Sequence, residues 1–276
     1  MKVQKIINNN IVSSTDDNGV EVVIMGRGLG YKIKEGMEIP KSKVEKIFRL
    51  DNEDVMDRFK TLLTKLPPEQ IQISTEIIQY ANQVLNKPLN QNIYITLTDH
   101  VNFAIERFQE KLLFTTPLLR EVKSFYREEY MIGEYGIALI DRKLGIKLPV
   151  DEAASMALHV VNAEYNTAMR DTMHITQLIQ QVVGIVAEYF DINPDERSHN
   201  YERFITHLKF LAQKIYTNDL LDQEESEFSQ MISQMYPEEY VCSQKIQCFI
   251  QEEYGHQVSE EEVAYLAVHI KRICLS

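Results

Sequence analysis

No apolar run in this chain approaches the roughly 18 to 20 residues that a membrane span needs. The opening Met1-Lys2-Val3-Gln4-Lys5 leads into asparagines and not into the apolar core of a signal peptide. Membrane insertion and export are therefore not expected, and the cytoplasm is. Cysteine is scarce: Cys242, Cys248 and Cys274 are odd in number, crowded near one end and lack the Cys-x-x-Cys spacing of a metal site. They read as reduced, structural thiols. Positive charge is short too, and a net charge of −12 argues against a generic nucleic-acid coat. A nucleotide-binding loop, a carboxylate cluster for Mg²⁺ and a helix-turn-helix are also missing, so neither a cofactor nor an enzyme activity is implied.

What is present is unevenly spread over the 276 residues, a length that allows two or three domains. Residues 1–50 carry nine Lys/Arg against six Asp/Glu, while the remainder carries 20 against 35, so a small basic head precedes a large acidic body. The head alternates like four short strands: Val3 to Ile7, Ile11-Val12, Val20 to Met25 and Val44 to Leu50. Asp17-Asn18-Gly19 marks a hairpin turn between the second and third. So small a sheet buries little surface alone, and dimerisation is expected. From Asp51 the apolar period becomes that of a helix, and Asp54 to Leu63 reads as a connecting helix ended by Pro67-Pro68. Beyond it lie two modules of about five helices each.

Those modules are copies. Residues 128–159 read again 110 positions later, each copy opening on Glu-Glu-Tyr, passing an acidic helix start (Asp151-Glu152, Glu261-Glu262) and closing on a histidine, His159 or His269. Upstream, His100 and His207 are paired at an offset of 107. Two copies make a duplication and not a solenoid. Ala153, Met156, Ala157, Val160 and Ala163 form a stripe at helical spacing, matched by Val263, Leu266, Ala267, Ile270 and Ile273. His159 and His269 each precede a stripe member by one residue, so they border the core.

His100 is followed by Phe103 and Arg107, and His207 by Phe210 and Lys214, at the same i+3 and i+7 spacings. A cation near an imidazole discourages its protonation yet neutralises a phosphoryl group placed on it, which favours a phosphate acceptor over a general base. A lone histidine on a helix is more often structural, but a duplicated core has little reason to keep four imidazoles at its borders. Metal binding is disfavoured, because neither His-x-x-x-His nor Glu-x-x-His places two ligands on one helix face. His174, His199 and His256 have no counterpart and read as structural.

In the head, Asn8-Asn9-Asn10 and Met25-Gly26-Arg27-Gly28-Leu29-Gly30-Tyr31 suit unstacked bases and phosphates of structured RNA, through asparagine amides, a glycine-flanked arginine and an aromatic ring. Tight turns would account for the glycines but not for Arg27 and Tyr31.

Together these segments resemble the BglG/SacY/LicT family of bacterial transcriptional antiterminators, LicT type, over the whole chain. The resemblance implies an α+β multidomain fold: a small antiparallel β-sheet RNA-binding head, dimeric, followed by two all-α helical-bundle modules. Its boundaries would be 1–55 for the co-antiterminator domain, 56–65 for a helical linker, and 66–169 and 170–276 for two phosphotransferase-system regulation domains. It implies RNA contacts at Lys5, Asn8, Asn10, Gly26, Arg27, Gly28 and Tyr31, the last standing where phenylalanine is usual. It also implies phosphorylation at His100, His159, His207 and His269, with Asp99 as acidic company for His100. The implied partners are a structured leader mRNA hairpin, the phosphocarrier HPr, a sugar-specific enzyme II permease and a second copy of the chain, in the service of a β-glucoside operon. The alternative is a phosphorelay protein that passes phosphate onward.

Overall fold

The computed structural model describes residues 1–49, 52–112, 114–217 and 227–275. Leu50 and Asp51, where the fourth strand was expected to end and the helical period to begin, lie outside the described residues, as does Ser276. The chain divides into two compact units, one of residues 1–119 and 126–167, the other of 120–125 and 168–276.

In the first unit β1 (Val3–Asn8), β2 (Ile11–Thr15), β3 (Glu21–Met25) and β4 (Lys46–Arg49) form one antiparallel sheet in sequence order. The β2–β3 turn is held by Asp16, whose carboxylate accepts from Asn18 N at 2.9 Å and Val20 N at 3.1 Å, with Gly19 at φ 81°. Strand alternation gives the sheet two apolar faces. Val3, Val12, Val22 and Ile24 close over Leu29 and Ile39. Ile11, Val23, Met25 and Phe48 pack instead on Met56, Phe59 and Leu63 of α1 (Glu53–Lys65).

That helix begins where the Asn52 side chain accepts from Val55 N at 3.2 Å. It stops before Pro67, and Pro68 opens the next helix. Each of its three core side chains, none more than 2% exposed, stabilises by roughly 1.5–3 kcal/mol relative to exposure. The connecting helix thus supplies, within one chain, much of the burial that a four-stranded sheet lacks.

Then follow α2 (Pro68–Leu85), α3 (Ile93–Gln109), α4 (Leu119–Phe125), α5 (Arg127–Leu144) and α6 (Val150–Tyr165), with residues 120–125 of α4 belonging to the second unit. Helices α2, α3, α5 and α6 share a core that includes Ile77, Leu97, Val101, Ile140, Met156 and Val160. A Cβ at Gly133 would meet the Ala153 carbonyl, and one at Gly136 would lie 2.8 Å from Met156 Sδ, so the two glycines let α5 lie close on α6. α5 ends at Gly145, in the left-handed region at φ 68°.

The second unit contains α7 (Met169–Phe190), α8 (His199–Thr217), α9 (Glu227–Met235), α10 (Pro237–Tyr254) and α11 (Glu260–Cys274). Gln180 of α7 donates to Glu121 Oε1 at 2.6 Å, which ties α4 in. α10 ends at Gly255, the counterpart of Gly145, and the Ser259 side chain caps α11 by accepting from Glu262 N at 3.3 Å. Both expected stripes are buried: every member on α6 and α11 is at most 7% exposed. Five helices fall in each copy among the described residues, as the sequence indicates. Cys242, Cys248 and Cys274 are free thiols. No described helix is long and apolar enough to cross a membrane.

Candidate functional site

Two kinds of site emerge. In the head, the turn after β1 and the loop after β3 are fastened to each other. Asn10 Oδ1 accepts from Gly28 N at 2.7 Å, and its backbone carbonyl accepts from Gly26 N at 2.9 Å. Glycine is required twice here, because a Cβ at Gly26 would collide with the Lys43 carbonyl and one at Gly30 with that of Asn8. Gly28 sits at φ 64° and turns the chain back. The result exposes Arg27 and Tyr31, the latter 60% exposed with Lys32 Nζ 5.2 Å from its ring centre. Arg27 N donates to Glu45 Oε1 at 3.2 Å. A cavity of about 510 Å³ opens beside this loop, lined by Asn10, Gly26, Arg27 and Glu45, and by Glu69 and Gln72 of α2.

The head residues singled out from sequence divide into groups. Asn10, Gly26, Arg27 and Gly28 come together, with Tyr31 at the end of the same loop, its N–H donated to the Gly28 carbonyl at 3.3 Å. Lys5 is exposed on β1, where its charge helps lower the pKa of Asp57 on α1 after the larger influence of Lys60. Asn8 uses its side chain internally: the carbonyl accepts from Asn10 N at 2.8 Å and the amide donates to the Leu63 carbonyl at 3.0 Å.

The histidine sites are built alike. α3 carries His100 and Arg107, and α6 carries Glu152 and His159, with the two imidazole centres 4.8 Å apart. Glu152, its side chain 2% exposed, stands with Oε2 3.3 Å from His100 Nε2, while Oε1 accepts from Arg107 Nη2 at 2.5 Å. The Arg107 guanidinium lies 4.8 Å from the centre of the Phe103 ring and 4.2 Å from that of Phe114.

In the second copy α8 brings His207 and Lys214, and α11 brings Glu262 and His269. The imidazoles are again 4.8 Å apart, now stacked at 20°. His207 Nε2 is 3.5 Å from Glu262 Oε2, and Lys214 Nζ donates to Oε1 at 2.6 Å. In every case seven residues, about two helical turns, separate histidine from cation and glutamate from histidine.

Burial sets the protonation. His159 is pushed down to about 3, first by desolvation and then by the charge of His100. His269 is lowered to about 4 by desolvation, then by His207, Arg272 and Arg203. His207 is lowered by desolvation, with Glu262 opposing and Lys214 adding to the effect. These three rings are neutral at pH 7 and keep a lone pair for an electrophile. Burial works against ionising Glu152, but His100 and Arg107 outweigh it and hold its pKa below the ordinary carboxylate value.

The structure brings the four histidines together in two pairs beside Arg107 and Lys214, and adds Glu152 and Glu262 between them, carboxylates that the sequence reading did not single out. Asp99 is exposed, and the carboxylate facing His100 is Glu152. The signal was there, since Glu152 and Glu262 repeat at the same offset of 110 as His159 and His269. Among the described residues no group of three or more His, Cys, Asp or Glu is placed to hold a metal ion.

Known proteins match the head and both helical copies. A CAT RNA-binding domain matches residues 1–57, and PRD domains match 75–163 and 180–273. The chain is 42% identical over 273 residues to the transcription antiterminator LicT of Bacillus subtilis (strain 168), covering 99% of each. It is 37% identical to the beta-glucoside operon antiterminator of Dickeya chrysanthemi, over 99% of this chain and 96% of that one. The crystal structure of GlcT CAT-PRDI superposes with a TM-score of 0.53 at 36% identity, over 59% of this chain and 96% of that one. The chain belongs to the BglG/SacY/LicT family of transcriptional antiterminators, RNA-binding regulators controlled by phosphotransferase-system phosphorylation of their PRD domains and not enzymes.

Proposed function

We propose that the head binds, as a homodimer in the cytoplasm, a hairpin in leader mRNA and keeps an overlapping terminator from forming. Arg27 and Tyr31 meet phosphate and unstacked bases, Asn10, Gly26 and Gly28 shape and complete the contact loop, and Lys5 adds charge nearby. Asn8 belongs to the same set, and its bonds to Asn10 and Leu63 make it the anchor of the loop. Working boundaries are 1–55, 56–65, 66–169 and 170–276. The name of the Dickeya relative supports a β-glucoside operon as the target.

Control runs through the two imidazole pairs. The enzyme II permease phosphorylates His100 or His159 when sugar is absent and disfavours the active dimer. HPr phosphorylates His207 or His269 and favours it. The observation that carries this reading is the repetition of histidine, cation, glutamate and histidine, with both ring separations at 4.8 Å. Each phosphoryl group adds about −1.5 to −2 charges at pH 7 to a site already holding a carboxylate, enough to rearrange a helical interface.

The test is transcription in vitro through a leader carrying the terminator, with the full chain and phosphorylated HPr. HPr is expected to raise read-through and to label His207 or His269, and the His207→Ala/His269→Ala chain is expected not to respond. Label confined to other residues, or an undiminished response of that variant, would overturn the assignment.

A further inference from the structure

In both histidine sites the cation suited to meet a phosphoryl group already has an anion. Arg107 donates to Glu152 at 2.5 Å and Lys214 to Glu262 at 2.6 Å. The other oxygen of each glutamate stands 3.3 Å or 3.5 Å from Nε2 of His100 or His207. Both contacts are long, and His100 Nε2, Glu152 Oε2 and His207 Nε2 are buried without a well-formed hydrogen bond. In the tautomer with hydrogen on Nδ1, the Nε2 lone pair is available to an electrophile.

We propose that Glu152 and Glu262 are placeholders for the phosphoryl group, each occupying on Arg107 or Lys214 the position that a phosphoryl group on Nε2 of His100 or His207 takes over. This rests on the reading that these histidines are phosphorylated. A phosphoryl oxygen attached through phosphorus to Nε2 lies no farther from that nitrogen than Oε2 does now, so the two anions cannot share the space. Held together in a partly desolvated site they repel strongly. The planar fork of Arg107 fits phosphate as well as carboxylate, and Lys214 meets it as a point charge.

The chemical step balances without another reactant. The Nε2 lone pair forms the new N–P bond as the N–P bond of a phosphohistidine donor breaks, and the departing imidazole takes up a proton as the acceptor releases the one on Nδ1. Glutamate then leaves the cation with no covalent change. Glu152 lies in the first turn of α6, next to Asp151, whose carboxylate accepts from Thr116 N at 2.9 Å. Its displacement unsettles the start of the helix that carries His159.

The test treats the full chain with phosphoramidate, whose N–P bond breaks with ammonia as leaving group. Mass spectrometry locates the label and ¹⁵N-resolved NMR identifies the bonded nitrogen, in wild type, Glu152→Gln and Glu262→Gln. Glutamine keeps the shape and removes the charge. Exchange predicts labelling about tenfold faster at His100 in the first variant and at His207 in the second, with the linkage at Nε2. An opened fold would also expose the ring and speed labelling, so the acceleration counts only where the variant's circular dichroism melt matches wild type and labelling in the other module is unchanged. Unchanged or slower labelling at its own histidine, or a linkage at Nδ1, would overturn the proposal and make the glutamates orienting groups. No label on any of the four histidines in wild type would overturn the phosphorylation reading itself, and exchange with it.

Discussion

The two histidine sites share one design but differ in burial, so removing the cation should cost very different amounts. Arg107→Met takes the partner from a carboxylate whose side chain is 2% exposed, where the arginine is itself 13% exposed. Leaving such a charge uncompensated costs about 3–5 kcal/mol, and the low end applies because Arg107 is itself 13% exposed, so water reaches the space it leaves. Lys214→Met acts on a lysine that is 45% exposed beside a glutamate at 13%. Water screens and replaces that partner, and the cost falls to about 1 kcal/mol or less. About 1 kcal/mol moves Tm by roughly 2–4 °C in the larger first unit and by roughly 4 °C in the smaller second one. Thermal unfolding should therefore show a drop of about 6–12 °C for Arg107→Met and about 4 °C or less for Lys214→Met. Adding Glu152→Gln to Arg107→Met should recover most of the loss, since no buried charge is then left alone. Equal drops for the two methionine variants, or no recovery in the double variant, would refute the assignment of Glu152 and Arg107 as a buried, mutually dependent pair.

Acid should act through the lowered histidines. His159 titrates at about 3 in the fold against 6.5 when unperturbed, so the unfolded chain binds a proton that the folded chain refuses. Its stabilising contribution is complete above pH 6.5 and is lost as pH falls towards 3, by about 2 kcal/mol at pH 5. Urea unfolding of His159→Gln should be flatter between pH 7.5 and 5, and an unchanged slope would count against a buried neutral ring. In the head, Asn10→Asp keeps the acceptor for Gly28 N while adding charge, so it should retain stability yet lose RNA binding about tenfold, whereas Asn10→Ala should lose both. Circular dichroism melts beside gel shifts would separate the two. Gly26→Ala should destabilise the head by about 2 kcal/mol or more, because its Cβ meets a backbone carbonyl and not a flexible side chain. A wild-type melt in that variant would show that the loop can move away.

Much of this is legible in the sequence, because the signals are local. Strand alternation, the Asp17-Asn18-Gly19 turn, the prolines before α2 and the apolar stripes of α6 and α11 each depend on a few adjacent residues. The duplication added long-range information by marking the same two histidine positions in each copy. Pairings between separate elements were not legible. Glu152 reaches His100 only because α6 packs on α3, which Val101 and Val160 secure in one core. The bond from Asn8 to the Leu63 carbonyl depends on α1 lying against the sheet, a packing that strand and helix periodicity do not specify. Residues 120–125 fall within the first copy by sequence, yet they fold with the second unit.

The central claim, that the Gly26 to Tyr31 loop reads structured RNA, is tested most directly by a gel shift. The full chain and its Arg27→Ala variant would be titrated against the leader hairpin of the neighbouring sugar operon at one fixed salt concentration. Wild type should give a discrete complex, and Arg27→Ala should lose affinity about tenfold or more with unchanged thermal unfolding. Equal binding by the two proteins, or no complex with any structured leader RNA from a folded chain, would contradict it.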